Sequence, residues 1–235
     1  MPGEFQYNYG DCYGNDRFVR MRFALVRALL APRLKAGIRL LDIGCYDGAL
    51  LEALKGDLPA SAYVGVDADE TALAIAGRRG GTVHRLNFEH DGLPFADATF
   101  DVVVLAEILE HLRDPARLLA EARRVLKPDG TAIVSLPNEC TLYHRLKVLA
   151  GIGIDGTGFE PGYHLHFPTL PQGRAFISRF FQIQDQRYWY HLGVGGLAEK
   201  ALALLPHRLW QFLVERLPGL LARGGRLPSP DRPDG

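Results

Sequence analysis

The sequence predicts an α/β protein built on a doubly wound, mostly parallel sheet with a C-terminal helical appendage. Three observations carry that prediction. Short strand-like runs recur at 38–43, 62–67, 82–86, 100–106 and 130–136, each followed by a polar or glycine-containing turn. Helix-forming stretches alternate with them, the pattern of right-handed strand–helix–strand crossovers between parallel strands. The run Phe-Asp-Val-Val-Val-Leu-Ala at 100–106 is too apolar to face water on either side, so it belongs at the centre of a sheet covered on both faces.

Taken in order, residues 5–15 are aromatic and polar and read as a loop. A helix is expected over 16–35, with Phe18, Met21, Leu25 and Leu29 at helical spacing and Gly37 as its stop. The first strand, 38–43, ends in Asp42, Gly44 and Gly48 before Ala-Leu-Leu-Glu-Ala-Leu starts a helix. A strand turning through glycines into a helix is expected to present backbone N–H groups to whatever lies above the turn. The second strand closes on Asp67, where an acid can accept hydrogen bonds from both hydroxyls of a ribose. Acids in the first turn of the next helix and Arg78-Arg79 at its end match the helix dipole. The third strand is 82–86, and the fourth, 100–106, leads into Glu107, Glu110 and His111. Asp114-Pro115 supplies an N-cap and a first-turn proline for a helix to Leu126, and the fifth strand is 130–136. Asp42, Asp67, Asn87, Glu107 and Asn138 all follow strand ends. One cleft beyond the carboxyl ends of the strands collects them.

Beyond Asn138 a basic-edged helix over 141–149, a glycine-rich loop over 151–161 that suits a lid, a helix over 170–179 and a strand over 181–190 are expected. The domain plan is a core over 1–190, a helical segment over 191–222 split by Pro206, and a disordered tail over 223–235. In 206–217 Leu209, Trp210, Leu213 and Leu217 form one helical stripe. It is expected to cover core or a sister subunit, a homodimer being compatible with it, rather than to lie on a membrane beside a lipid-linked acceptor. Twenty-seven basic against 27 acidic side chains leave no net charge, which argues against a nucleic-acid partner. The three cysteines make no CxxC pair, and no signal peptide or spanning helix is evident, so the expected location is cytoplasmic.

Leu-Asp-Ile-Gly-Cys-Tyr-Asp-Gly at 41–48, Val-Gly-Val-Asp at 64–67, Leu93-Pro94-Phe95 with 100–104, Leu-Glu-His-Leu-Arg-Asp-Pro at 109–115 and Arg-Val-Leu-Lys-Pro-Asp-Gly at 124–130 stand in a telling order. Together they resemble a class I S-adenosylmethionine-dependent methyltransferase over residues 38–138. The resemblance implies S-adenosyl-L-methionine as cofactor. Asp42 with the backbone of Gly44, Cys45 and Gly48 would cradle its methionine part, Asp67 its ribose, and Ala68 its adenine face. The turn after the third strand would serve the adenine amino group through Asn87, next to Phe88, with Glu89 the other choice. Glu107 would complete the site. One departure stands out: the middle glycine of Asp-x-Gly-x-Gly-x-Gly is Tyr46 here, a side chain in a loop where backbone approaches a ligand.

Methyl transfer from a sulfonium needs alignment above all, and a base where the acceptor carries a proton. His111 is the candidate base, since imidazole changes charge near neutral pH; otherwise it only packs or caps its loop. Glu107-x-x-Glu110-His111 also resembles the metal-binding run of some RNA-end 2′-O-methyltransferases, but the further histidine of such a site is not identifiable and no metal is expected. The implied activity is methyl transfer to an oxygen or nitrogen, less readily a carbon, of a small-molecule acceptor. The alternatives are a cofactor-binding scaffold without turnover and a nicotinamide-dependent oxidoreductase. The last wants Gly-x-Gly-x-x-Gly, which the loop at 44–48 does not supply.

Overall fold

The computed structural model describes residues 17–137, 148–151 and 164–187. The chain divides into two compact units, Met1–Ser135 and Leu136–Gly235. In the first unit five parallel strands pair in the order β3-β2-β1-β4-β5, where β1 is Leu40–Ile43, β2 Tyr63–Asp67, β3 Thr82–Arg85, β4 Phe100–Ala106 and β5 Leu126–Ser135. Helix α1 (Arg17–Leu30) precedes β1, while α2 (Ala49–Ala53), α3 (Glu70–Arg78) and α4 (Pro115–Val125) connect β1 to β2, β2 to β3 and β4 to β5. The order reverses between β1 and β4, so the cleft of a doubly wound sheet falls at their carboxyl ends. Register brings those ends level: Ile43 pairs with Val66 on one side and with Leu105 on the other.

The core follows from this layering. Leu40, Leu41, Ile43, Val103, Val104 and Leu105 are inaccessible to solvent, as strands covered on both faces require. On α1, Leu25, Val26 and Leu30 are buried. The helix stops at Leu30 instead of reaching residue 35, because Pro32 offers no N–H and sits in a short 3-10 turn, Ala31–Arg33. Asp69 caps α3 by accepting from the Ala72 amide, and Asp114 caps α4 by accepting from that of Arg117, with Pro115 opening the helix.

The fifth strand departs from expectation. It begins at Leu126, where α4 ends, rather than at Gly130. Leu126 pairs with Phe100, then Thr131 pairs with Val102, so residues 127–130 bulge out of the ladder. Pro128 has no amide to give a ladder, and the Lys127 ammonium reaches back to Asp101 at 2.7 Å.

In the second unit α5, Leu170–Ile177, carries a full capping box between Thr169 and Gln172. Leu136 packs where a side chain on Gly173 would stand. The strand expected over 181–190 is not formed in its described part, since 181–187 is irregular. There the Asp185 carboxylate accepts from the Gln186 amide and from the Arg187 guanidinium, local bonds that take the place of a ladder. Asn138, the helix over 141–149 up to residue 147, most of the loop at 151–161, and everything after residue 187 lie outside the described residues. Among those described, no helix is long and apolar enough to cross a membrane.

Candidate functional site

The loop from β1 to α2 takes three left-handed residues within five: Gly44 at φ 78°, Tyr46 at φ 46° and Gly48 at φ 75°. Gly44 also needs its missing side chain, because a Cβ there would meet Ile108 at 3.1 Å. The loop's donors are turned inward, contrary to the expectation that they face a ligand. The Gly44 and Cys45 amides both donate to Val66 O, at 2.9 and 3.1 Å. The Tyr46 amide donates to Asp67 Oδ2 at 2.8 Å, and that of Gly48 to Cys45 O at 2.9 Å. With these N–H groups spent on Val66 O, the Asp67 carboxylate and the loop's own Cys45 carbonyl, the loop is a poor phosphate cradle, unlike the dinucleotide-binding turn. A cationic ammonium, which needs acceptors, fits it better.

Asp67, at the tip of β2, is oriented from both sides. Oδ2 accepts from Tyr46, Oδ1 accepts from the Asp69 amide at 3.0 Å, and each oxygen keeps a further lone pair. Two fixed carboxylate oxygens with spare capacity suit a ribose diol, so the donor set fits the nucleoside of S-adenosylmethionine. Burial raises the Asp67 carboxyl from its usual value, while the amide hydrogen bonds pull it back. Ala68 is exposed beside it, and its carbonyl accepts from Arg85.

Asp42 lies deeper. It is 2% exposed, and its Oδ2 accepts from the Tyr63 hydroxyl at 2.6 Å. Burial pushes its carboxyl up to about 7; the Tyr63 hydrogen bond works the other way and Asp67 adds to the rise. Burial likewise holds the Cys45 thiol far up, so it is protonated and inert. Its sulfur fills space beside Gly65, where a Cβ would come within 2.7 Å of it. Asp42, Tyr63 and Cys45 thus form a floor under the loop.

Past β4, Glu107 is held at φ 56°, a left-handed position for a side chain that is not glycine. Ser135, at the end of β5, fixes it twice: Oγ accepts from the Glu107 amide at 3.0 Å and donates to Glu107 Oε1 at 2.6 Å. Arg22 of α1 stands 3.9 Å from Glu107 Oε2. Sequence reading missed both partners. Ser135 was findable, since it closes its strand as Asp67 closes β2. Arg22 was not, being one of four arginines in α1. Glu110 and His111 follow in the 3-10 turn Leu109–His111, and both are buried.

On the far side of β2, Asn87 is exposed and Phe88 buried. Asn87 Oδ1 accepts from the Glu89 amide at 3.0 Å, and Glu89 Oε1 accepts from the Arg113 amide at 2.9 Å. Gly44, Gly48, Asp67, Ala68 and Glu107 therefore stand at the level carboxyl ends of β1, β2 and β4, with Asn87 beyond β3.

A left-handed glycine turn, an oriented acid at the tip of β2 and a switch point between β1 and β4 define a nucleoside-binding protein of the doubly wound class. The particular family follows from similarity. A family described as "Methyltransferase domain" matches residues 13–170, and the chain belongs to it, as a class I S-adenosylmethionine-dependent methyltransferase by fold and sequence. The cofactor of that family is S-adenosyl-L-methionine. A probable S-adenosylmethionine-dependent methyltransferase of Mycobacterium tuberculosis is 38% identical over 120 residues, 51% of this chain and 43% of the relative. A ubiquinone biosynthesis O-methyltransferase of Thiobacillus denitrificans is 34% identical over 169 residues, 70% of this chain and 65% of the relative. The chain thus spans from under half to about two thirds of the length of these relatives. Among solved structures, a possible histamine N-methyltransferase of Thermotoga maritima is similar at a TM-score of 0.54 and 25% identity, over 74% of this chain and 79% of that one.

Proposed function

We propose that the protein transfers a methyl group from S-adenosylmethionine to an oxygen or nitrogen of a small-molecule acceptor. The observation that carries this reading is the pairing of an oriented carboxylate, Asp67, suited to a ribose, with a loop whose amides at 44, 45, 46 and 48 are already bonded within the protein. That combination suits a nucleoside joined to an ammonium-bearing tail rather than to a diphosphate. Likeness to an O-methyltransferase and to a possible N-methyltransferase supports both acceptor atoms.

In this reading Asp67 binds the ribose diol, and Asn87 meets the adenine amino group. Ala68 and Phe88 contribute at the base, the loop carbonyls around Gly44 and Cys45 receive the ammonium, and Arg22 and Glu107 order the methionine end. Asp42 acts from below, through Tyr63, as the support of the loop. When bound, the cofactor supplies a methyl on a sulfonium, already activated for in-line displacement. The protein's part is then alignment, exclusion of water and, for a protic acceptor, acceptance of a proton at an imidazole nitrogen of His111.

The competing reading is a cofactor-binding scaffold without turnover, favoured by Tyr46 in the glycine loop. Release of S-adenosylhomocysteine across a panel of phenols, carboxylic acids and amines separates the two. Turnover with one class of acceptor is expected, and His111→Ala should lower it by about 100-fold or more with cofactor affinity unchanged. Cofactor binding without turnover on any acceptor supports the scaffold. Full activity in the His111 variant between pH 6 and about 8 removes that residue from catalysis.

A further inference from the structure

One face of α4 and its leading turn is committed to the segment between β3 and β4. Arg117, Glu121 and Arg124 recur at spacings of four and three, which places them on one side of α4, and Arg113 lies in the turn just ahead of it. Arg124 donates to Leu93 O at 2.9 Å and Phe95 O at 2.7 Å, and Glu121 accepts from the Leu93 amide at 2.9 Å. Arg117 serves the turn that carries Asn87. Its Nη2 donates to Phe88 O at 2.7 Å and to Asp91 O at 3.2 Å, and its Nη1 donates to His90 O at 3.4 Å.

Within that turn the Asn87 amide donates to Asp91 Oδ2 at 2.8 Å, and the His90 and Asp91 amides return to Asn87 O at 3.0 and 2.8 Å. The Glu89 amide pins Asn87 Oδ1. The amides of Asn87, Glu89, His90 and Asp91 are thus bonded within the turn, while three of its carbonyls converge on one guanidinium. Asn87, His90 and Asp91 are exposed, so apart from buried Phe88 this backbone has no apolar side chain to hold it. A planar fork of fixed donors can hold three carbonyls at once, which a single ammonium cannot do in the same geometry.

We propose that Arg117 is a positioning residue for recognition of the purine 6-amino group. By fixing the carbonyls of Phe88, His90 and Asp91, it sets the turn whose Glu89 amide orients the Asn87 carboxamide with Oδ1 as the presented acceptor. A 6-amino group donates to that oxygen, whereas a 6-oxo group meets it acceptor to acceptor. The inference rests on the assignment of the Asn87 turn to adenine.

The test is titration of wild type, Arg117→Met and Arg117→Lys with S-adenosylhomocysteine and with its 6-oxo analogue, S-inosylhomocysteine. Wild type should prefer the adenine ligand by about tenfold or more, the scale on which a lost hydrogen-bond pairing discriminates. Arg117→Met should weaken that ligand by about tenfold and the 6-oxo ligand far less, collapsing the preference, as a freed turn no longer presents one acceptor. Arg117→Lys, which keeps the charge and one or two contacts, should fall between. A merely structural role would weaken both ligands by one factor and keep the preference, and that result, or an unchanged preference in both variants, overturns the proposal. Equal affinity of wild type for both ligands would instead overturn the adenine assignment beneath it. Should the Met variant not fold, the preference measured in the Lys variant decides the question by the same criterion.

Discussion

Tyr46 is the residue at which the chain departs from its family's glycine pattern, and the backbone shows the cost. It holds φ 46°, a conformation worth about 1–2 kcal/mol of strain in a residue with a Cβ. Its amide nevertheless makes a bond that orients the Asp67 carboxylate. Tyr46→Gly keeps that amide and removes the strain, while a glycine adds about 0.4–1 kcal/mol of unfolded-state entropy. Thermal unfolding should therefore change little, and S-adenosylhomocysteine affinity should be equal or tighter. A large loss of affinity would make the phenol a ligand contact. Asp42 makes a second prediction at this scale. Its folded carboxyl, raised by burial to about 7, ionises at a cost to the fold. The stability it contributes is complete below the ordinary carboxylate range and is lost as pH rises through about 7. Between pH 5 and 8 wild type should lose on the order of 2 kcal/mol relative to Asp42→Asn. Urea unfolding at both pH values measures it, and parallel curves would show that Asp42 does not titrate there. The role of Asp42 was only half legible. An acid closing an apolar strand announces a site, but its partner Tyr63 lies on another strand, two positions before the residue that pairs with Asp42.

At the scale of elements, the glycine loop is locked to the helix after β2. A Cβ on Gly48 would stand 3.0 Å from the Ala76 Cβ and 3.1 Å from its Cα, and Asp47 Oδ2 accepts from Arg79 at 3.1 Å. Gly48→Ala combines a left-handed backbone with a clash against α3 main chain. It should destabilise by on the order of 2–4 kcal/mol and weaken cofactor binding together. A variant as stable as wild type by urea unfolding would show that α3 yields. Elements were legible where one strong local signal sat at each end. The N-cap Asp114 and the buried run of β4 are of this kind, whereas Asp69, expected inside the first turn of its helix, is the N-cap instead. Legibility failed where a local signal was true but its context was not. Lys127-Pro128-Asp129-Gly130 has turn chemistry and does leave the ladder, yet as a bulge inside β5 rather than as a turn before it. The inward-facing donors of Gly44, Cys45 and Tyr46 were also hidden, because their acceptors, Val66 O and the Asp67 carboxylate, belong to the neighbouring strand.

For the whole molecule, the sheet order and the level strand ends gather residues far apart in sequence at one place. Alternation of strands and helices predicts the parallel sheet with its strand ends on one side, since parallel strands require crossovers, while the strand order itself is seen only in the structure. The acceptor is not legible in the same way, because no comparable pattern marks it in the sequence. In the proposed function Asp67 anchors S-adenosylmethionine at the tip of β2, and titration calorimetry with S-adenosylhomocysteine measures that anchoring. Wild type should bind saturably, and Asp67→Ala should bind at least about tenfold more weakly, through loss of charge-assisted hydrogen bonds worth about 1.5–3 kcal/mol each. Asp67→Asn, which keeps an acceptor for one main-chain amide, controls for the fold. No binding by wild type, or an unchanged dissociation constant in a folded Asp67→Ala variant, would contradict the account.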